Sequence, residues 1–260
     1  MESVRHIMPT SLGNSTMIEE IKKRVALIQT KQTTQSTSQS FNCIKCEDKG
    51  FTLDEEEAVI WCECRKKKET LERLEKSGLK MRFDSNRISN YKMDSKQRAE
   101  AVKICKDYVE KFDKTKTLVL SGQVGAGKTH LAIASSRILL EKYNVKYVDF
   151  VNEISRLKFN QIDQDAYSNI VDACKYATVL FIDDLYKGDT SEATQRIVQD
   201  IINYRYNNNK SMIITTELTK DMLINLNEAT ASRLIEMTYD GEGDYFVEFS
   251  GKQLNYRLYR

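Results

Sequence analysis

From about residue 95 to the C-terminus, short apolar runs alternate with longer segments in which apolar residues recur every three or four positions. The first pattern predicts buried strands and the second predicts amphipathic helices. The predicted strands are 117–121, 145–150, 178–183, 211–216 and 245–249. The predicted helices are 96–112, 128–142, helical material up to 176, 191–207 and short helices up to about 237. Strands separated by helices predict an α/β fold, with a parallel sheet covered by helices on both faces.

The chain before residue 95 follows a different pattern. Its predicted segments are a helix at 15–30, a polar linker at 31–40, a cysteine-bearing segment at 41–64, a charged helix at 65–78 and a connecting loop at 82–94. Neither helix is embedded in alternating strands, so this part of the chain is expected to form a region of its own. We therefore predict a small N-terminal helical and cysteine-bearing region over residues 1–80 and an α/β domain over residues 81–260.

A phosphate-binding sequence, GQVGAGKT at residues 122–129, directly follows the first predicted strand and opens a helix. Its glycines let backbone N–H groups converge on phosphate oxygens, and the helix N-terminus adds partial positive charge. Lys128 is expected to reach the β- and γ-phosphates, and the Thr129 hydroxyl to bind Mg²⁺. The predicted nucleotide-binding residues here are Gly122, Gln123, Val124, Gly125, Ala126, Gly127, Lys128, Thr129 and His130. The alternative is a chance glycine turn, and the strand–turn–helix context argues against it.

A second acidic motif supports the first. The apolar run VLFIDD, residues 179–184, ends in two aspartates. At the carboxyl end of a parallel strand, Asp183 would lie beside the phosphate loop and hold Mg²⁺ through water, while Asp184 would orient or activate the attacking water. The alternative is an ordinary buried strand followed by an acidic turn. Together the two motifs predict a nucleoside triphosphatase.

Four cysteines in the N-terminal region have the spacing of a metal site. They occur as Cys43-x-x-Cys46 and Cys62-x-Cys64, with 15 residues between the pairs. Two close pairs on two short loops are the usual way to build a tetrahedral zinc site, and zinc would stabilise a segment too small to fold on its own core. The alternatives are an iron–sulfur cluster and free or disulfide-bonded thiols.

Composition narrows the remaining possibilities. The 40 basic and 38 acidic residues leave a net charge of +2, so any nucleic-acid-binding patch must be local. No apolar run approaches the roughly 20 residues of a membrane span, and the first residues lack the pattern of a secretory signal. We therefore expect a cytoplasmic protein without a membrane partner, whose cysteines are reduced or bind metal. Cys105 and Cys174 fall on apolar helix faces and are predicted to be core residues.

Three other classes of phosphate-loop protein lack support. The guanine-reading motif N-K-x-D is missing, because residues 209–212 read NKSM without the acid. The signature of ABC ATPases is also missing, because the string LSGQ at residues 120–123 lies inside the phosphate loop itself. No Arg-rich lid, as in nucleotide kinases, is evident after the loop.

The remaining pattern, from about residue 41 to the C-terminus, resembles AAA+ ATPases, and among them the bacterial and phage helicase loaders of the DnaC/DnaI type. The resemblance depends on the order of several short strings. They are CIKC and CEC, THLA at 129–132, DDL at 183–185, INYRY at 202–206, MIITT at 212–216, SRLIE at 232–236 and Gly251-Lys252 shortly before Arg257. Transposition helper ATPases of the IstB type share most of this core and remain the close alternative.

The resemblance implies further site residues. Arg233 resembles the arginine finger that reaches a neighbouring subunit's γ-phosphate, which implies a homo-oligomer on ATP binding. Arg257 resembles the second-sensor arginine; the alternative for both is surface ion pairing. The first sensor, usually Asn, would be Glu217 here, preceded by Thr216, so either Thr216 acts instead or hydrolysis is slow. Asp184 stands where many of these motors have Glu, which also favours slow turnover.

The resemblance also implies partners. The cysteine-bearing region would dock on a replicative DnaB-type helicase, with the basic run 65–68 either a contact or a solvated helix face. Region 151–176 would contact single-stranded DNA, where Arg156, Lys158 and Phe159 offer two cations and an aromatic ring. The alternative is an amphipathic helix with Phe159 in the core.

Three functions follow as hypotheses. The first is an ATP-dependent helicase loader, the second is an IstB-like transposition helper ATPase, and the third is a slow or non-hydrolysing ATP-binding adaptor. The cysteine-bearing region favours the loader over the helper. The expected cofactors are ATP or ADP, Mg²⁺ and Zn²⁺.

Overall fold

The computed structural model describes residues 43–53, 58–62, 85–160 and 163–259, together with residues 64, 65, 68, 72, 74, 75 and 79. The chain divides into two compact units, residues 1–62 and residues 63–260. The helix predicted at 15–30 and the linker predicted at 31–40 lie outside the described residues. The domain boundary at residue 80 stays a prediction.

In the smaller unit two short strands pair in antiparallel fashion. They are β1 (Phe51–Leu53) and β2 (Val59–Trp61), with Phe51 opposite Trp61. The two rings meet edge to face, with their centroids 6.3 Å apart. The sequence pattern does not predict this hairpin, because strands of three residues are too short to show a period.

The larger unit alternates strands and helices over its described length. In chain order its helices and strands are α1 (Lys96–Glu110), β3 (Leu118–Gly122), α2 (Lys128–Leu140), β4 (Val145–Asp149), α3 (Phe150–Phe159), α4 (Gln164–Tyr176), β5 (Val179–Leu185), α5 (Glu192–Asn207), β6 (Met212–Thr216), α6 (Lys220–Leu226), α7 (Glu228–Thr238) and β7 (Phe246–Phe249). Each predicted strand is present within one or two residues of its predicted ends.

The five longer strands form one sheet in the order β4-β5-β6-β3-β7, and every neighbouring pair is parallel. The predicted α/β fold with a parallel sheet is confirmed. Strands β3 and β5 are adjacent to β6 on its two sides, so the phosphate loop after β3 and the acidic end of β5 meet at one edge of the sheet.

Two apolar clusters cover the two faces of the sheet. Leu118 and Leu120 of β3 belong to one cluster and Val119 between them belongs to the other, as alternation along a strand requires. The first cluster also contains Leu74 and Leu79, so the larger unit includes residues that the sequence assigned to the N-terminal region. Cys105 and Cys174 are buried, one in each cluster, which confirms that they are core residues.

A buried arginine joins several elements of the larger unit. Arg205 of α5 is fully buried, and its guanidinium donates to the carbonyls of Cys174, Lys175 and Ala177 at 2.8 to 3.1 Å and to that of Ser211 at 2.5 Å. These carbonyls include the unpaired ones at the C-terminal end of α4, which a buried helix end must satisfy. Arg205 is therefore a structural residue rather than a member of a site.

Within the described part of the chain, no helix is both long enough and apolar enough to cross a membrane.

Candidate functional site

The phosphate loop connects β3 to α2 and contains glycines at positions where a side chain would be strained and would clash with its neighbours. Gly122 has a φ of +93°, and a Cβ there would lie 2.3 Å from the carbonyl oxygen of Phe249 on β7. Gly127, immediately before α2, has a φ of +94°, and a Cβ there would lie 2.6 Å from the ring of Tyr91. The glycines therefore let the loop backbone pack directly against Phe249 and Tyr91. The loop leads into the N-terminal end of α2, where backbone N–H groups can bind an anion.

Lys128 is the buried cation of the loop. Its ammonium donates to the carbonyl oxygens of Gly122 at 2.8 Å and Gln123 at 2.9 Å. Burial lowers the pKa of Lys128, because desolvation penalises its charged form. The ammonium is thus held inside the loop by weak neutral acceptors, which negatively charged phosphate oxygens can replace.

Thr129 and Asp183 lie together where the sequence places the magnesium ligands. The Thr129 hydroxyl donates to Asp183 Oδ1 at 2.8 Å, and the hydroxyls of Thr215 and Tyr147 donate to the same carboxylate at 2.6 and 3.3 Å. Asp183 is only 4% exposed. A hydroxyl and a carboxylate in contact beside a phosphate loop fit the hard oxygen ligands of Mg²⁺, so these two residues would hold the ion.

Asp184 leaves the regular strand and turns toward the nucleotide site. It has a φ of +59°, and the pairing of β5 with β6 shifts register between Ile182 and Leu185. The backbone N–H of Asp184 donates to the Thr215 hydroxyl at 2.8 Å, which fixes this irregular turn. Two successive acids thus take different roles, because Asp183 is buried behind Thr129 while the Asp184 carboxylate faces a cavity.

That cavity has a volume of about 360 Å³, and most of the predicted nucleotide-binding residues line it. Its lining residues from the loop and the acidic strand are Val124, Gly125, Ala126, Gly127, Lys128, Thr129, His130 and Asp184. Arg257, the predicted second sensor, lines the same cavity, although it follows the loop by more than 120 residues in the sequence. The roles assigned to these residues stay predictions, while their convergence on one cavity is a property of the fold.

Another part of the cavity lining is not predicted by the sequence pattern. Tyr91 donates its hydroxyl to the Ala126 carbonyl at 2.8 Å, and its ring meets the His130 ring at a centroid distance of 5.3 Å. The Lys92 ammonium lies 4.6 Å from the ring centroid of Tyr256, which lines the cavity as well. The sequence of residues 82–94 predicts only a connecting loop, and the one signal there is a tyrosine between polar residues.

At the end of β6, Glu217 rather than Thr216 faces the cavity. Thr216 is fully buried, and its hydroxyl donates to the Leu185 carbonyl at 2.9 Å. Glu217 lines the cavity and forms an ion pair with Lys187 at 2.9 Å. The alternative in which Thr216 replaces the missing sensor amide therefore has no support in the geometry of its hydroxyl.

The predicted arginine finger lies elsewhere. Arg233 of α7 is not among the residues that line the cavity; its guanidinium lies 5.7 Å from the ring centroid of Tyr206 on α5. A finger acts on the nucleotide of a neighbouring subunit, so this position outside its own cavity is compatible with that role. The assignment of Arg233 stays a prediction.

The four predicted metal-binding cysteines converge at the hairpin. The sulfur atoms of Cys43, Cys46, Cys62 and Cys64 lie within 4.8 Å of one another. Cys43 Sγ and Cys62 Sγ are 3.7 Å apart, close to the roughly 3.8 Å that Zn–S bonds of about 2.3 Å impose in a tetrahedron. The Gly50 N–H donates to Cys46 Sγ at 3.3 Å, as would stabilise a thiolate. The geometry and the thiolate ligand set fit zinc.

The residues suggested for DNA contact are partly engaged within the protein. Lys158 forms an ion pair with Asp189, and Arg156 pairs with Glu153 at 2.9 Å. Phe159 is 87% exposed at the end of α3, so the alternative that placed it in the core is wrong. The exposed ring is available for stacking, whereas the charge of Lys158 is already paired.

Comparison with known proteins gives a consistent picture. A family model described as "IstB-like ATP binding protein" matches residues 19–225. Two proteins of Bacillus subtilis (strain 168) are similar over nearly their whole length. Protein YqaM is 29% identical over 94% of each chain, and the phage-like element PBSX protein XkdC is 28% identical over 93% of this chain and 96% of its own.

Among solved structures, the DnaC helicase loader superposes with a TM-score of 0.57 at 26% identity. The superposition covers 65% of this chain and 99% of that chain.

Proposed function

Because the chain belongs to the family of IstB-like ATP-binding proteins and is an AAA+ ATPase, we propose that it is an ATP-dependent helicase loader. In this role it binds a replicative DnaB-type helicase and places it on single-stranded DNA. The observation that carries the proposal is the similarity to the DnaC helicase loader, which extends over 99% of that chain.

The smaller unit, residues 1–62, supports the proposal, because it has exposed apolar side chains that a partner protein could contact. Ile44, between the first two cysteines, is 88% exposed, and Ile60 and Trp61 of β2 are half exposed. Apolar side chains that a folded module leaves in solvent are typical of protein-binding sites. We assign docking on the helicase to this unit, and zinc to Cys43, Cys46, Cys62 and Cys64.

The nucleotide-binding residues would then act as the switch. Lys128 and the N–H groups of the loop bind the phosphates, and Thr129 and Asp183 hold Mg²⁺, which neutralises phosphate charge when bound. Asp184 orients the attacking water, and Arg257 faces the nucleotide of its own subunit. Arg233 would complete the site of a neighbouring subunit, so binding of ATP would favour a homo-oligomer.

The replacement Asp184→Asn tests the hydrolytic role. Asparagine has nearly the same shape but cannot accept a proton, so we expect turnover to fall by at least about tenfold. Affinity for ATP should change little, because Asp184 is not a phosphate ligand. Steady-state phosphate release and equilibrium nucleotide binding, each with and without DNA, measure the two effects.

Two results would contradict this assignment. Unchanged turnover in the Asp184→Asn protein would mean that another residue activates the water. Absence of turnover in the native protein, with and without DNA and helicase, would instead favour the adaptor in which ATP is bound and not hydrolysed.

Binding to the helicase is tested by size-exclusion chromatography of the full chain with a DnaB-type helicase, in ATP and in ADP. We expect a complex that contains both proteins. The second candidate, an IstB-like transposition helper, is supported by the family match over residues 19–225. Failure to bind helicase, combined with ATP-dependent assembly on duplex DNA, would favour that candidate.

A further inference from the structure

A lysine that the phosphate-loop motifs do not include lies at the acidic end of the nucleotide cavity. The Lys187 ammonium is 2.9 Å from Asp184 Oδ2 and 2.9 Å from Glu217 Oε1. All three side chains line the cavity, together with Lys128. One lysine thus joins the acid at the end of β5 to the acid at the end of β6.

The turn after β5 fixes the position of this lysine. Leu185 and Tyr186 are 1% and 4% exposed, and both belong to the same core cluster. Asp184 and Tyr186 have positive φ values, +59° and +64°, and the Lys187 N–H donates to the Asp184 carbonyl at 3.0 Å. The two buried side chains therefore hold the turn, and the residues on either side of them face the cavity.

The charges at this end explain why such a lysine is needed. A glutamate at the position of Glu217 would repel the γ-phosphate if its charge were not compensated. These charges also act on Lys128. Burial is the largest effect and lowers the pKa of Lys128; the charges of Glu217 and Asp184 raise this pKa, and the charge of Lys187 lowers it. Lys187 and Glu217 line the same cavity as Lys128, so their charges act where the loop would bind a phosphate.

We propose that the Lys187 ammonium, anchored by the Glu217 carboxylate, contacts the γ-phosphate and makes the site distinguish ATP from ADP. The neutral amide donor expected at the end of β6 is replaced by a cation from the turn after β5. Glu217 is then a positioning residue. With ADP, Lys187 stays with both carboxylates; with ATP, it exchanges Asp184 for a phosphate oxygen and releases that acid to orient water. The inference rests on nucleotide binding by the phosphate loop and is independent of the helicase partner.

The replacement Lys187→Met tests the contact, since it keeps the length of the side chain and removes the charge. Affinities for ADP and for a non-hydrolysable ATP analogue are measured with Mg²⁺. We expect the affinity for the analogue to fall by about tenfold or more, the effect of losing a hydrogen bond between charged groups. The affinity for ADP should change by less than about twofold, because an exposed ion pair contributes little by itself.

A matched control is Lys111→Met. Lys111 forms an exposed ion pair with Glu242 at 2.9 Å and does not line the cavity. Both nucleotide affinities should be unchanged in this variant.

If Lys187→Met leaves the ratio of the two affinities unaltered, whether by losing both or neither, the proposal is overturned. Failure of the native protein to bind either nucleotide would overturn the phosphate-site assignment instead.

The double replacement Lys187→Met with Glu217→Gln tests whether Lys187 compensates the charge of Glu217. Glutamine removes the charge that Lys187→Met leaves facing the γ-phosphate, so the double variant should bind the ATP analogue severalfold more tightly than Lys187→Met alone. Glu217→Gln by itself should have a small effect, because its amide oxygen still accepts from Lys187. No recovery in the double variant would contradict this pairing, because the Glu217 charge would then not weaken binding when Lys187 is absent.

Discussion

Replacing Lys128 by alanine is expected to reduce the affinity for both ATP and ADP by at least about a hundredfold. Its buried ammonium, held by two carbonyls of the loop, is the cation that we assign to the phosphates, and each charge-assisted hydrogen bond contributes roughly 1.5–3 kcal/mol. The loss should be similar for the two nucleotides, since a β-phosphate is common to both. Equilibrium binding of fluorescent ATP and ADP analogues measures it.

Lys128→Ala and Lys187→Met are expected to differ in their effects on the affinities for ATP and ADP. A variant of the phosphate loop loses both nucleotides, whereas a variant of the γ-phosphate contact loses only ATP. Lys111→Ala is the control for removal of a distant lysine. Retention of nucleotide binding by Lys128→Ala would contradict the placement of the phosphates in this loop.

Removal of zinc is expected to unfold the β1–β2 hairpin and its cysteines, while the affinity for nucleotide stays unchanged. Two strands of three residues cannot form a stable core alone, and structural zinc supplies apparent binding free energies of about 10–16 kcal/mol in zinc-finger peptides. The replacement Cys46→Ser should lower the zinc content from about one ion per chain to none. Elemental analysis measures the metal, and the fluorescence of Trp61, the single tryptophan of the chain, reports the hairpin.

The matched control is Cys174→Ala, which removes a buried thiol of the larger unit and should leave the zinc content unchanged. Iron with sulfide in the purified protein would support the cluster alternative. Chelation that leaves the Trp61 signal unaltered would contradict a structural role for the metal.

The sheet and the phosphate loop could be predicted because their signals are local. An apolar run, a glycine turn and a helix follow one another within residues 117–142, and each depends only on neighbouring positions. The spacing of the cysteine pairs is also local, and the four sulfur atoms meet as predicted. The loader resemblance adds to these signals the order of strings spread along the chain.

The rest of the site depends on contacts between distant parts of the chain. Residue 256 meets the loop because it follows β7, which the strand order places beside β3. Residue 91 reaches the loop from the segment before α1, 35 residues earlier in the chain than its partner Ala126. The ion pair of Glu217 could not be predicted from its position in the sequence, because its partner Lys187 is 30 residues away in another turn. The burial of Arg205 is equally invisible in sequence, where an arginine near the end of a helix predicts a surface residue.

The two interpretations that the structure changes have the same cause. Phe159 is apolar at a helical spacing, yet α3 ends there and leaves its ring in solvent. Thr216 precedes the sensor position, yet it is the last residue of β6 and its hydroxyl donates to the Leu185 carbonyl, while Glu217 follows the strand and lines the cavity. A periodic pattern predicts which residues share a face, while the ends of elements decide what those residues contact.

Loading of the helicase itself is the most direct test of the central claim. A DnaB-type helicase is incubated with circular single-stranded DNA, with and without the full chain and ATP, and the helicase retained on DNA is quantified after gel filtration. We predict that retention rises severalfold with the chain and ATP and returns to background with Lys128→Ala. Equal retention with and without the chain, under conditions where ATP is bound, would contradict the assignment as a helicase loader.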